Sequence, residues 1–189
     1  MTTLFSRAEL LDQWLTRRGY QPLRTDVSTD ITTGTDLAAH MGREVADWVR
    51  YVYATAPPSM LPVAEGSAYC TLISVTSGGA ARLNLPADAA RVVAVRLAGW
   101  ERAATPVLPG CLDDVAAGNP FLLPDESRPL AIMEPDGSLL LSPAGENCSI
   151  ASLLYVPQPP GINEPVAIDP LLLATMSSFD PDNFNPFQT

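Results

Sequence analysis

The chain has 189 residues, 47% of them apolar and 17% charged, which suits a globular fold with a sizeable core. The formal net charge is −10 and all 11 basic residues are arginine; residues 129–189 carry seven acidic side chains and no basic one, which argues against tight nucleic-acid binding. No apolar run reaches the roughly 18 residues of a membrane span, and residues 1–7 lack the basic-then-apolar pattern of a secretory leader, so the expectation is a protein made in the cytoplasm with no membrane partner.

Ser6-Arg7-Ala8-Glu9 reads as a capping box that opens a helix. Leu11, Trp14, Leu15 and Arg18 follow at helical spacing, and Gly19 closes it. Residues 20–34 are polar and read as a loop. A second helix begins near Thr35 or Asp36, carries the apolar stripe Leu37, Met41, Val45, Trp48, Val49 and Val52, and ends at Pro57 and Pro58. From residue 67 the pattern changes to strands: 69–75, a turn at Ser77-Gly78-Gly79, and a return over 81–85.

Leu85-Pro86-Ala87-Asp88 is a rigid corner, because Pro86 fixes φ and lacks the donor a strand needs, while Asp88 can bond amides locally. The next strand, 91–97, alternates Val92, Ala94 and Arg96 against Val93, Val95 and Leu97. A bend at Gly99-Trp100-Glu101 leads to a strand over 103–108, then to an irregular stretch, 109–128, with a short helix at 112–117. Strands 130–133 and 139–141 flank Glu134-Pro135-Asp136-Gly137, a hairpin whose tip is Asp136 and Gly137. A strand over 150–156 ends at Pro157, and 170–176 can form one or two helical turns.

The fold class predicted is α+β: an N-terminal helical pair (6–56), then a mostly antiparallel β-sheet or sandwich (67–157), with a short C-terminal helix. These make one domain, 1–177, followed by an extended arm, 178–189. Phe179, Phe184 and Phe187 are three of the five phenylalanines and lie on that arm among Asp, Asn and Pro. The arm either docks into a neighbouring subunit or partner, or folds back on its own domain.

A search for chemistry finds no nucleophile–base pair. The single histidine, His40, lies within the second helix, and Cys70, Cys111 and Cys148 have no C-x-x-C spacing, so they read as reduced thiols. No phosphate-binding or nucleophile-elbow motif is present. Asp180-Pro181-Asp182-Asn183-Phe184-Asn185 lacks the glycine and closing glutamate of a calcium loop. The expectation is a non-enzyme without catalytic residues, metal or other cofactor.

Three motifs in order carry a resemblance: the corner Leu85-Pro86-Ala87-Asp88 before a Val-rich strand; Arg128-Pro129-Leu130-Ala131-Ile132 with Gly137-Ser138-Leu139-Leu140-Leu141-Ser142-Pro143; and Tyr155-Val156-Pro157-Gln158-Pro159. Over about residues 35–165 the chain resembles the head-to-tail connector, or adaptor, proteins of tailed bacteriophages, including the tail tubular protein A-like group. The resemblance implies a ring, typically of twelve subunits, beneath the portal protein. Such a ring extends the DNA channel, docks tail or nozzle proteins, and lets DNA pass without specific binding. It also implies a place in the virion neck after assembly in the host cytoplasm. Connectors of this kind often close with substantial C-terminal helices, which this sequence lacks. A second reading is a β-rich receptor- or carbohydrate-binding module of a phage tail, with Trp100 as its stacking platform.

Overall fold

The computed structural model describes residues 1–19, 37–75, 79–117, 119, 122–145, 147–161 and 164–181. Its strands are β1 (Thr3–Phe5), β2 (Ala64–Glu65), β3 (Thr71–Val75), β4 (Ala81–Asn84), β5 (Ala89–Leu97), β6 (Leu130–Met133), β7 (Leu139–Ser142), β8 (Ile150–Pro157) and β9 (Val166–Ile168). Its α-helices are α1 (Arg7–Arg17), α2 (Leu37–Thr55) and α3 (Leu112–Ala117). Helices and antiparallel sheets together make an α+β fold with a short C-terminal helix. The chain divides into two compact units, one of Met1–Pro62 with Gln158–Thr189 and one of Val63–Pro157.

The first unit begins with the capping box the sequence spells out. The Ser6 amide donates to Glu9 Oε2 at 2.8 Å and the Glu9 amide donates to Ser6 Oγ at 3.3 Å, which satisfies two donors that the first helical turn leaves open. The Ser6 hydroxyl, which donates to Glu9 Oε2 at 2.7 Å, and after it the Ser6 amide hold the Glu9 carboxyl below the usual glutamate range. Gly19, at φ +77°, follows the helix, where a left-handed backbone favours glycine. On α1 the buried pair is Leu10 and Trp14, one turn apart, while Leu11 and Leu15 are half-buried, so the inward stripe is rotated from the expected one.

Helix α2 buries Met41, Val45, Trp48, Val49 and Val52 as its stripe predicts. It ends at Thr55, and Pro58 opens a 3-10 turn, Pro58–Met60. Helix α2 meets the 3-10 helix Pro170–Ser177 through Trp48, and the first amides of that helix are met by Asp169: the Leu171 amide donates to Asp169 Oδ1 at 3.0 Å. Trp48 is fully buried and its Nε1 donates to Thr175 Oγ1 at 3.0 Å. Strands β1 and β9 pair antiparallel, Thr3 opposite Ile168 and Phe5 opposite Val166. Neither is legible in the sequence.

The second unit holds two antiparallel sheets, in strand orders β2-β8-β5 and β3-β4-β7-β6. Leu83, Leu139 and Leu141 from one and Val92, Val95 and Leu153 from the other belong to one buried cluster. Three expectations change here. The simple alternation of β5 fails: Val92, Val95 and Leu97 are all buried because the register with β8 shifts between Val92 and Ala94 and again between Arg96 and Leu97. The expected strand over 103–108 reduces to two bridges, Ala104 with Val95 and Val107 with Ile132, on either side of Pro106, which has no amide to donate. The strand expected from residue 69 starts at Thr71, after a 3-10 turn, Ser67–Tyr69. The helix at Leu112–Ala117 lies where expected.

Candidate functional site

The corner and the strand end meet. Pro86 is buried, Leu85 half-buried and Asp88 exposed, and the Ala89 amide closes the turn on the Pro86 carbonyl at 3.0 Å. The Tyr155 hydroxyl, from β8, donates to the Asp88 carboxylate, with oxygen distances of 3.0 and 3.2 Å. Burial, and next the bond to Asp88, push the Tyr155 phenol above its ordinary range, so the neutral form is the one the fold holds. Gly66 makes this approach possible: a Cβ there would stand 2.7 Å from Tyr155 Cε1 and 3.1 Å from Pro86 Cγ. Two motifs 67 positions apart thus form one joint. Replacing Pro86 with glycine should cost the fold about 1–2 kcal/mol, from a freer unfolded chain plus the lost ring packing, read as a lower urea midpoint.

The hairpin tip lies where the sequence places it. Gly137 has φ +80°, which the turn requires. Asp136 Oδ1 accepts from the Ser138 amide at 2.9 Å and the Ser138 hydroxyl at 2.6 Å, and Arg82 Nη1 lies 3.4 Å from Oδ2. The Ser138 bonds first, and Arg82 after them, hold the Asp136 carboxyl below its usual range. Asp136 and Gly137 are exposed and present a tight, locally bonded knob.

Phe179 departs from the expected extended arm. It is 7% exposed, its ring 6.1 Å from that of Trp14 in an edge arrangement and 5.3 Å from that of Tyr51. The Arg18 guanidinium lies over Trp14 at 4.4 Å and donates to the Phe179 carbonyl. Those contacts draw Phe179 into its own unit. Phe184 and Phe187 lie outside the described residues.

Trp100 is 2% exposed and its Nε1 donates to the Pro143 carbonyl at 2.8 Å, so its ring offers no stacking face to a sugar. His40 is exposed on α2, 3.4 Å from Glu44. Cys70, Cys111 and Cys148 are free thiols, and burial pushes that of Cys70 up, away from reactivity. Among the described residues no cluster of three or more metal-ligating side chains occurs, and no helix is long and apolar enough to cross a membrane.

Among the described residues each unit shows a cleft. In the first, a cleft of about 180 Å³ is lined by Leu10, Val45 and Val49 together with Arg7 and Glu164. Gly42 stands in the middle of α2 there because the Arg7 guanidinium lies against it, 2.3 Å from where a Cβ would be. In the second, a cleft of about 450 Å³ is lined by Arg102, Arg128 and Asp113 together with Val107, Leu122 and Leu130 of the β6 region. Of this cleft's arginines, Arg128 opens one of the motifs that carry the resemblance, while Arg102 is not singled out by the sequence. The available signal was the set of leucines in a stretch otherwise read as irregular. No protein-family model matches the chain, and no curated protein matches it.

Proposed function

We propose that this chain is a structural subunit of a head-to-tail connector ring in a tailed bacteriophage. It would lie beneath the portal protein, extend the DNA channel and dock the tail. The observation that carries the reading is the joint between Asp88 and Tyr155. The corner motif and the strand-end motif, which with the hairpin carry the resemblance, are physically one feature, and β4, which leads into the corner, pairs with β7 of the hairpin. Motifs that arise by chance have no reason to pack together.

The charge supports the same role. A formal −10, with no basic residue over 129–189, suits a wall past which a polyanion moves without being gripped. The role proposed is mechanical, with no substrate and no cofactor. The exposed Asp136-Gly137 knob is a candidate point of contact with a neighbour or a tail protein.

Electron microscopy of purified particles, with this chain labelled, tests the proposal. A ring of labelled density at the neck is expected. Absence of the chain from intact virions overturns it.

A further inference from the structure

Eleven large apolar side chains are exposed among the described residues, and five of them fall within residues 108–123: Leu108, Leu112, Val115, Leu122 and Leu123. Leu112 and Val115 are 88% and 67% exposed and one turn apart on α3. One of the five lines the second unit's cleft and three more are next in sequence to its lining residues. Leu122 lines it, Leu108 follows the lining residue Val107, Leu112 precedes Asp113, and Leu123 sits between Leu122 and Pro124. A concentration of this kind marks a place where something docks. These side chains are open to solvent in the single chain.

Resting on the ring reading above, we infer that this cleft and its apolar border seat residues 182–189 of a second copy of the chain, joined head to tail. The chemistry on the two sides matches. The cleft offers Arg102, with Arg128 held 4.0 Å from Asp125, beside apolar surface and Asp113. Residues 182–189 offer Asp182, Phe184 and Phe187 with no basic residue, and Pro186 disfavours a helix there. A cleft of about 450 Å³ has room for two phenyl rings, since a cavity of about 150 Å³ accepts one benzene. Phe179, fixed in the core of the first unit, gives the donor segment a firm root. Each copy then carries one donor and one acceptor, the arrangement from which closed rings are built.

Sedimentation of the full chain, of a chain ending at Pro181, and of the double variant Leu112→Asp, Val115→Asp tests this. The full chain should assemble and each altered chain should remain a monomer with unchanged ellipticity. An equimolar mixture of the two altered chains should give a one-to-one dimer and nothing larger, because only one donor–acceptor contact survives. If the double variant fails to fold, Arg102→Glu and Asp182→Arg replace it. Each alone should weaken assembly roughly tenfold and the pair should restore it. Altered chains that assemble like the parent, a mixture that stays monomeric, or a full chain that never self-associates overturns the docking. The neck images decide the ring reading separately.

Discussion

Replacing Trp48 by alanine is expected to remove about 3–5 kcal/mol from the unit built of Met1–Pro62 and Gln158–Thr189. The indole is fully buried on α2, against the 3-10 helix Pro170–Ser177. Its removal leaves a void that α2 cannot close, because α2 is also fixed by Val45, Val49 and Val52. The loss has a polar part as well. Thr175 Oγ1 accepts from Trp48 Nε1 while its own proton goes to the Leu172 carbonyl at 2.7 Å, so the hydroxyl is satisfied on both sides. Trp48→Phe keeps most of the volume and loses the indole bond, and should cost about 1–2 kcal/mol. Urea unfolding followed by helical ellipticity reads this unit, since α1 and α2 both belong to it. A Trp48→Ala midpoint equal to the parent's would mean that the α2 packing described here is wrong.

Tyr155→Ala should be nearly as costly to the other unit, about 3–4 kcal/mol, because the ring is 4% exposed and holds the corner through Pro86 and Asp88. Tyr155→Phe isolates the hydroxyl and should cost about 1 kcal/mol. The same hydroxyl sets an alkaline limit. Its folded-state pKa lies above the ordinary tyrosine value of 10.0, so the unfolded chain ionises first as pH rises. The stabilisation is therefore fully present below pH about 10 and is lost as pH climbs through the folded-state value. In Tyr155→Phe this fall should shrink. Tyr53 and the Cys70 thiol, both also raised by burial, contribute to the remainder; Tyr53 lies in the first unit, where its hydroxyl donates to the Ala167 carbonyl at 3.2 Å. Urea midpoints taken across the alkaline range for parent, Tyr155→Phe and Tyr53→Phe separate the two. A Tyr155→Phe profile that tracks the parent removes the phenol–carboxylate bond from the account.

What the sequence made legible was local. The capping box at Ser6 and Glu9, the stripe of α2, the Asp-Gly hairpin and the extent of α3 each depend on residues within a turn or two of one another. What it hid depends on distant partners. Strands β1 and β9 have three residues each and exist because residue 3 meets residue 168. The face reversal in β5 comes from its register with β8, and nothing within 91–97 marks it. Phe179 reads as an exposed aromatic until Trp14 and Tyr51 are brought to it from the far side of the chain. The corner at Pro86 was plain, but its tie to Tyr155 was not, because a tyrosine in a strand gives no hint of where its hydroxyl ends. The insert leucines were passed over because irregular segments give no periodicity from which to assign a face.

The pairing of β1 with β9 also orders events during synthesis. Residues 63–157 are contiguous and can fold as soon as they emerge from the ribosome, whereas the N-terminal strand must wait, unpaired, until residues 166–168 are translated. The usual order of maturation is thereby reversed for this stretch: residues 63–157 can finish before residues 3–5, which are made ahead of them. A chaperone that shields residues 1–62 on the ribosome would have the most to protect in this molecule.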